Sequence, residues 1–359
     1  MHKTDEYWML LAIRQAKKGI GKTHPNPRVG AVVVRDGQCL GQGYHHVCGG
    51  NHAEVDALLK INTDVAGATI YVTLEPCAAT GRTPACTTAI IQAGIKRVVF
   101  ASTDPNPKMA GGAEVLKQAG IEVLSGVCVA EADAMNRPFF HYLQTGLPWL
   151  IAKAAISLDG KLATHQHHSQ WISGDVSRQH AHQMRAQCDA IVVGVGTLLA
   201  DNPSLTVREA RLKGEPPLRV VMAKAAPQPF VDCKLLSQAA NTRLYITQDN
   251  VYAQQWRDLG VDVVLQESLK ACFKHLAKQG CLLVLLEGGG KLHAACFEEK
   301  LSNEIMLYQA PLLIGGTDAV NLWHGQGVST MPEALSIQHI QRKKLGQDML
   351  IRGDVHYPA

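Results

Sequence analysis

His52-Ala53-Glu54 is the first of three short segments that decide the fold and chemistry of the first half of this chain; the others are Glu75-Pro76-Cys77 and Cys86. An imidazole and two thiolates suit zinc, and three ligands leave one tetrahedral position for water, as in catalytic zinc sites. Cys39 or Cys48 could add a fourth ligand and make the site structural. A structural site has no use for the Glu54 carboxylate, so the catalytic interpretation is favoured.

Zinc would make water a useful nucleophile here. It lowers the pKa of bound water from about 15.7 to about 7. At about 1.4 kcal/mol per pKa unit, this stabilises hydroxide by on the order of 12 kcal/mol. Glu54 is then free to shuttle protons to a ring nitrogen and to leaving ammonia. His-x-Glu with a later Pro-Cys and a further cysteine is typical of zinc deaminases. We therefore predict deamination of a heterocyclic base, with Glu54 as catalytic residue and His52, Cys77 and Cys86 as metal ligands.

The segments around these residues alternate between helices and strands. Their apolar periodicity predicts strands at 29–34, 39–44, 69–74, 97–101 and 121–124, and helices at 5–19, 52–60 and 112–118. Another helix is expected to begin near Pro84, because proline is favoured in a first helical turn. Cys86 then lies near its start. The alternation predicts an α/β domain with its sheet between helices.

A second domain is expected because the chain has 359 residues. We predict the boundary in the linker Thr145-Gly146-Leu147-Pro148, which gives domains 1–146 and 147–359. Beyond the linker, strand-like runs at 149–155, 190–193, 218–222, 243–247, 261–265, 282–286 and 305–308 predict another α/β domain of ordinary size.

Composition argues against several functional classes. The formal charge of +4 is small, no basic block stands out, and aromatic residues are 5% of the chain, so nucleic acid gets little support as a partner. The first residues lack the apolar core of a signal peptide, and the apolar runs are too short to span a bilayer. Ten cysteines are scattered rather than arranged as a disulfide framework. We expect a cytoplasmic protein without a membrane partner.

Two glycine clusters follow strands in the second half: Gly194-Val195-Gly196-Thr197 and Gly288-Gly289-Gly290. The second opens a predicted helix at 291–299, and such a helix start can bind phosphate through backbone N–H groups. Neither cluster is a full G-x-G-x-x-G, and each is also typical of a tight turn. Lys153, Arg185 and Arg208 could bind a phosphate-bearing substrate or could form a solvated surface.

The spacing of the two cysteines points to a family. Eight residues separate Cys77 from Cys86, whereas most nucleoside and nucleic-acid deaminases carry two there. In the insert with Gly81-Arg82-Thr83-Pro84 and in other motifs, the chain resembles the bifunctional deaminase/reductase family of riboflavin biosynthesis over nearly its whole length. These motifs include His24-Pro25-Asn26-Pro27-Arg28-Val29-Gly30, Thr73-Leu74-Glu75-Pro76-Cys77, Asp104-Pro105-Asn106-Pro107, Lys153 to Lys161, Gln170-Trp171-Ile172-Ser173, Val193 to Thr197, Ala200-Asp201-Asn202-Pro203 and Glu287-Gly288-Gly289.

The resemblance implies an N-terminal cytidine-deaminase-like three-layer α/β/α domain followed by a dihydrofolate-reductase-like α/β domain. It implies zinc-dependent deamination of 2,5-diamino-6-ribosylamino-4(3H)-pyrimidinone 5′-phosphate. NADPH would then reduce the ribosyl side chain of 5-amino-6-(5-phosphoribosylamino)uracil to ribityl. The implied cofactors are Zn²⁺ and NADPH. The implied partners are a phosphorylated pyrimidine substrate and further copies of the chain, as a dimer through the reductase domains.

The resemblance also implies roles for residues of the second half. Those expected to contact NADP are Ala155, Trp171, Thr197, Asp201, Gly289, Gly290, Lys291, Leu292, His293, Ala294 and Ala295. Those expected to contact the substrate are Ser169, Arg185, Leu205, Arg208 and Glu287. The two arginines suit the 5′-phosphate, because a planar guanidinium matches its oxygens. Lys153 and Asp159 are the candidates for the acid–base residue of the reductase.

The chain departs from the family pattern at two places. Ala78-Ala79 replaces a usual Ser-His, which removes two polar groups from the mouth of the zinc pocket. Ala223-Lys224 stands where an acidic residue is common, and we expect Lys224 to help bind a cofactor phosphate. Three alternatives stay open from sequence: only one activity survives; the chain is a zinc deaminase of tRNA or nucleosides with a non-catalytic second domain; or it is a zinc-stabilised binding module.

Overall fold

A computed structural model describes residues 3–79 and 84–358. Contacts divide the chain into two units, Met1–Thr145 and Gly146–Ala359. Within the described ranges, no helix has both the length and the apolar character that a membrane crossing needs.

The first unit is built on a five-stranded sheet in the order β2-β1-β3-β4-β5. Its strands are β1 (Gly30–Arg35), β2 (Gln38–Tyr44), β3 (Thr69–Leu74), β4 (Arg97–Ser102) and β5 (Glu122–Ser125). Its helices are α1 (Asp5–Ala16), α2 (Ala53–Leu58), α3 (Cys86–Gln92), α4 (Gly112–Gln118) and α5 (Val129–Thr145). β1 runs antiparallel to β2 and β3, whereas β3, β4 and β5 are parallel. Asp36 and Gly37 both have positive φ in the β1–β2 turn, as their dipeptide indicates.

Alternate side chains of the sheet face opposite helical layers. Ala31 and Val33 of β1 belong to a core with residues of α2, α3 and α4. Val32 and Val34 belong to a second core with residues of α1 and α5. Because successive strand side chains point to opposite faces, one strand serves both cores. The predicted three-layer α/β/α class is confirmed.

The second unit contains a nine-stranded sheet in the order β11-β10-β9-β8-β12-β6-β13-β16-β15. Its strands are β6 (Trp149–Ile156), β8 (Ala190–Gly194), β9 (Leu218–Ala225), β10 (Thr242–Gln248), β11 (Asp262–Leu265), β12 (Leu283–Leu286), β13 (Glu304–Gln309), β15 (Ser336–Leu345) and β16 (Asp348–His356). A two-stranded sheet joins β7 (Lys161–Ala163) to β14 (Val320–Asn321). The helices are α6 (Asp175–Arg185), α7 (Val195–Asp201), α8 (Val251–Asp258), α9 (Leu269–Lys278) and α10 (Gly290–Glu298).

All neighbouring strands from β11 through β13 are parallel, whereas β16 runs antiparallel to both of its neighbours, β13 and β15. Parallel strands end at one edge of a sheet, which is where open α/β folds bind ligands. α7 begins directly after β8, and α10 begins four residues after β12 ends. Both glycine clusters found in the sequence therefore lie at this edge.

Several elements escaped the sequence analysis, among them α5, α6 and the β15–β16 hairpin. Pro138 lies inside α5, and proline normally argues against a helix interior. The helix accommodates it by a kink at Asn136, whose backbone has φ −108° and ψ 16°. β15 is exposed along nearly all its length, so its residues show no apolar alternation that could reveal a strand.

Gly43 of β2 lies directly against α2, the helix that carries Glu54. A Cβ at Gly43 would lie 2.3 Å from the Ala57 nitrogen and 2.4 Å from the Ala53 oxygen. Because these are backbone atoms, we expect Gly43→Ala to lower the free energy of unfolding by about 1–3 kcal/mol. Urea titration measures it. Gln38→Ala, at the exposed start of the same strand, is the control and should change it by less than about 0.5 kcal/mol. Equal stability of Gly43→Ala and wild type would contradict the close packing.

Candidate active sites

The three predicted metal ligands come from three different elements. His52 is the N-cap of α2, Cys86 is the first residue of α3, and Cys77 lies in the loop after β3. Their ligand atoms all lie within 4.8 Å of one another. His52 Nδ1 is 3.1 Å from Cys86 Sγ and 3.6 Å from Cys77 Sγ. Among the described residues, neither Cys39 nor Cys48 joins this group. The structure thus brings the predicted ligands together.

The charges of this group fit a divalent cation. The Cys86 thiol, His52 and the Cys86 N–H, 3.3 Å from Cys77 Sγ, favour the Cys77 thiolate and lower its pKa to about 4. The hydrogen bond that the Cys86 thiol makes with Cys77 Sγ, together with burial, raises the pKa of Cys86. Two thiols so close do not both ionise unless a cation lies between them. A nitrogen and two sulfurs are donors that zinc prefers. The residues present therefore fit zinc.

Glu54 lies in the first turn of α2 and is 3% exposed. Burial raises the pKa of its carboxyl, although the nearby His52 opposes the shift. A carboxyl whose pKa is raised toward neutrality can accept and return a proton near neutral pH. The predicted catalytic carboxylate thus has both a position beside the ligands and an environment suited to proton transfer.

Glu75 is a buried carboxylate that joins two loops at this site. Its Oε2 accepts the Asp104 N–H at 3.2 Å, and its Oε1 accepts the Ala113 N–H at 3.0 Å. One side chain therefore fixes the loop before Cys77 to the segments that follow β4. The motifs quoted from the sequence contain Glu75 and Asp104, but no pattern there shows that a carboxylate will bind backbone N–H groups.

His45 supports the zinc ligands from another side. Its Nδ1 is 2.9 Å from the Asn51 oxygen, and its Nε2 is 3.1 Å from Asn26 Nδ2. Its ring meets the His52 ring edge-on, with centroids 5.6 Å apart. A lone histidine in a turn gives no sequence signal for this role.

The region after Cys77 is only partly described. Ala78 and Ala79 are half-buried, and the Ala78 N–H donates to the Met109 oxygen at 3.1 Å. Three residues of the predicted insert, Gly81-Arg82-Thr83, lie outside the described residues. Ala78 and Ala79 carry methyl groups where the resemblance implies a hydroxyl and an imidazole.

A cavity of about 1650 Å³ opens in the second unit at the carboxyl edge of its parallel strands. This exceeds the range of roughly 300–1,000 Å³ for one drug-sized ligand, so it has room for two molecules. The predicted cofactor and substrate residues on its wall are Ala155, Ser169, Trp171, Arg185, Thr197, Asp201, Leu205, Arg208, Glu287, Gly289, Gly290, Lys291, Leu292 and Ala295.

His293 and Ala294 differ from the rest of the predicted cofactor loop, because their side chains are buried and do not form this wall. They lie on the side of α10 that faces the core. Neither ring nitrogen of His293 has a hydrogen-bond partner among the described residues. Burial outweighs the nearby backbone of Gly289 and Leu286 and lowers the pKa of His293 to about 4. The contact of these two residues with NADP stays a prediction, and it would have to involve their backbone.

Arg185 and Glu287 form a forked ion pair on the cavity wall. Arg185 Nε and Nη2 donate to Glu287 at 2.6 and 2.8 Å, and Nη1 donates to the Thr206 oxygen at 2.9 Å. Lys153 Nζ is 3.5 Å from the same carboxylate. Burial favours the neutral acid, but Arg185 and Lys153 hold the pKa of Glu287 well below its usual range. The Glu287 carboxylate therefore already compensates much of the positive charge of Arg185.

Asp159, the other candidate acid–base residue, lies away from the cavity wall. Its Oδ1 accepts the Ser157 hydroxyl at 2.5 Å, and its two oxygens accept the Ile314 and Gly315 N–H groups at 3.1 and 2.7 Å. Asp159 is exposed and organises a loop. The structure therefore leaves Lys153 as the candidate beside the cavity.

The cavity wall carries more cations than anions. Seven lysines and arginines contribute to it, against three carboxylates: Lys153, Arg178, Arg185, Arg208, Lys224, Lys234 and Lys291 against Asp201, Glu209 and Glu287. Lys224, which the sequence singled out, is among them. Such a surplus attracts anionic ligands and holds phosphate groups.

Two family models match the chain. The model of the cytidine and deoxycytidylate deaminase zinc-binding region matches residues 2–102, and that of the RibD C-terminal domain matches residues 148–351. Riboflavin biosynthesis protein RibD of Actinobacillus pleuropneumoniae is 41% identical, covering 97% of this chain and 94% of that protein. The Escherichia coli (strain K12) protein of that name is 36% identical, covering 97% and 98%.

Solved structures give the same result. Acinetobacter baumannii RibD, form 1, superposes with a TM-score of 0.90 at 37% identity, covering 98% of this chain and 99% of that one. A Thermotoga maritima diaminohydroxyphosphoribosylaminopyrimidine deaminase/5-amino-6-(5-phosphoribosylamino)uracil reductase superposes at 0.86 with 32% identity, covering 99% of both.

Fold and sites together define a bifunctional enzyme in which a zinc-dependent deaminase is joined to an NADPH-dependent reductase. The chain belongs to the RibD family and is an enzyme of riboflavin biosynthesis. The predicted family, fold class, activity and cofactors are confirmed. The alternatives of a tRNA or nucleoside deaminase and of a binding module are not favoured, because the relatives match both halves of the chain.

The burial of His293 predicts that the free energy of unfolding of the protein depends on pH. Above the ordinary histidine pKa of 6.5, the ring is neutral in both the folded and the unfolded protein. At such pH values His293 does not lower the free energy of unfolding. As pH falls toward about 4, the unfolded chain gains a proton that the folded protein excludes, so stability is lost. We expect the histidine to account for about 2 kcal/mol of lost stability between about pH 7 and 5. Urea titrations of wild type and His293→Leu at several pH values measure it. If the free energy of unfolding changed with pH in the same way in wild type and in His293→Leu, His293 would not be the cause.

Proposed function

We propose that residues 1–146 deaminate 2,5-diamino-6-ribosylamino-4(3H)-pyrimidinone 5′-phosphate and that residues 147–359 then reduce the ribosyl side chain of the product with NADPH. The meeting of His52, Cys77 and Cys86 beside buried Glu54 carries the first half of this proposal. The large cationic cavity of the second unit supports the reductase half.

In the first reaction, water replaces the amino group on the ring carbon between two nitrogens, and ammonia leaves. Zinc, when bound by the imidazole and two thiolates, supplies Lewis acidity and lowers the pKa of a bound water. Glu54 would carry one proton of the attacking water to the ring nitrogen and the other to the amino group, which leaves as ammonia. Its burial supports this role, because a carboxyl with a raised pKa keeps such a proton near neutral pH.

In the second reaction, the ribose ring opens to a ribityl chain, which needs a hydride at its first carbon and a proton at its ring oxygen. NADPH supplies the hydride. The wall residues from Ala155 to Ala295 predicted above would hold the cofactor and the substrate. Lys153 would deliver the proton, because it lies on the wall beside Glu287, whereas Asp159 lies elsewhere.

Location and assembly stay predictions. We propose that the chain works in the cytoplasm and forms a homo-oligomer, a dimer through its reductase domains. Only the family resemblance supports the dimer. Size-exclusion chromatography with light scattering tests it, and a monomer at micromolar concentration would contradict it.

Glu54→Gln should separate the two reactions. With the diaminopyrimidinone ribosyl phosphate as substrate, wild type should release ammonia and then oxidise NADPH. Glu54→Gln should lower ammonia release by about 10²–10⁴-fold, because the proton carrier is lost. It should still oxidise NADPH when given deaminated substrate. Glu131→Gln, at an exposed position of the same domain, is the control and should match wild type.

Zinc removal gives a second test of the same site. A chelator should abolish ammonia release but leave folding and the oxidation of NADPH with deaminated substrate intact, whereas a structural metal would unfold its domain when removed. If wild type oxidises NADPH only with deaminated substrate, Ala78-Ala79 has disabled the first site. If it shows neither reaction, the proposed function is wrong.

Lys153→Met tests the proton donor of the reductase. We expect kcat for reduction to fall by about 10²-fold or more, because the ring oxygen loses its donor. The dissociation constant of NADPH, followed by fluorescence, should change little. Asp159→Asn is the comparison and should keep most of the activity. A kcat lowered only by Asp159→Asn would reverse the assignment.

A further inference from the structure

His182 is a wall residue of the reductase cavity to which neither the sequence nor the family resemblance gives a role. It lies in the last turn of α6, three residues before Arg185, and is 6% exposed. Its Nδ1 accepts the backbone N–H of Arg208 at 3.3 Å. In the neutral ring the proton is therefore on Nε2. This Nε2 has no partner among the described residues, yet it is not sealed in the core. His182 thus offers one free N–H donor to the cavity.

Four charged groups face His182, two cations and two carboxylates. They are Arg185, Arg208, Glu209 and Glu287. Glu287 is already paired with Arg185, whereas the Arg208 guanidinium has no partner in the part of the chain that the structure describes. Burial lowers the pKa of His182, and the two arginines lower it further. The ring is therefore neutral near pH 7.

We propose that His182 binds the phosphate ester of the reductase substrate through its Nε2–H, next to the guanidinium of Arg208. This inference rests on the proposed function of the second domain and adds a ligand to its substrate site. A phosphate monoester carries nearly two negative charges at neutral pH. The neutral ring can donate its Nε2–H to these charges while Nδ1 keeps the bond from the Arg208 N–H.

His182→Asn and His182→Gln separate phosphate binding from a structural role. Asparagine places its amide where Nδ1 stands, so it can keep the bond to the Arg208 N–H but has nothing at the Nε2 position. Glutamine reaches the Nε2 position with a neutral donor and gives up the bond to Arg208. If His182 binds phosphate, His182→Asn is the more damaging change. If it only supports the Arg208 segment, His182→Gln is.

The readout is KM for the phosphorylated substrate and for its dephosphorylated counterpart, measured by NADPH oxidation. With His182→Asn we expect KM for the phosphorylated substrate to rise about tenfold, since a hydrogen bond to a charged group is lost. KM for the dephosphorylated compound should stay within about twofold, since additivity holds where no contact is shared. The dissociation constant of NADPH should also stay unchanged. A loss of NADPH affinity instead would assign the histidine to a cofactor phosphate and overturn the proposal.

A KM for the phosphorylated substrate that is unchanged in His182→Asn sinks the inference while the reductase stands. Absence of NADPH oxidation by wild type with any substrate sinks the proposed function instead.

Discussion

Parallel pairing of strands is the constraint on which both sites depend. Hydrogen bonding between β3 and β4, and among β6, β12 and β8, brings the carboxyl ends of these strands to one edge of each sheet. The chain must leave that edge through loops that lead into helices, whose first N–H groups have no partners in the helix. In the first unit, these exits place Cys77 after β3 and Cys86 at the start of α3. In the second, they place Glu287 and the glycines before α10 on the cavity wall.

In each site, a carboxylate that is not consumed in the reaction fixes the position of neighbouring groups. Glu75 accepts two backbone N–H groups and so fixes the loop before Cys77. Glu287 accepts both arms of the Arg185 fork, which sets the position of a guanidinium on the cavity wall. Burying a carboxylate is costly unless hydrogen-bond donors or cations surround it. The local geometry of both sites therefore follows from electrostatic requirements as much as from packing.

The sequence predicts the metal site better than the reductase site, for a physical reason. Zinc accepts few donor types, so His52, Cys77 and Cys86 stand out by identity and order, and the strands around them are apolar enough to be recognised. The cavity takes its ligands from a wide surface of common residues. Lys291 faces the cavity and His293 faces the core because of the rotation of α10 about its axis. The glycines before this helix give no pattern from which that rotation could be predicted. That Arg185 pairs with Glu287, 102 residues further along the chain, depends on the fold itself.

The polar strand β15 also protects the rest of the sheet. It ends the nine-stranded sheet with a long exposed edge, and Arg342, Lys343 and Lys344 lie along it. An open strand edge is a template for aggregation, and clustered positive charge repels a second copy that approaches it. β16, the neighbouring strand in the sheet, carries Met349 and Ile351 and is more apolar than β15. Because β16 follows β15 in the chain, a protein shortened before Ser336 would lose both strands and expose β13, with Ile305 and Leu307, so the C-terminal hairpin covers an apolar strand edge.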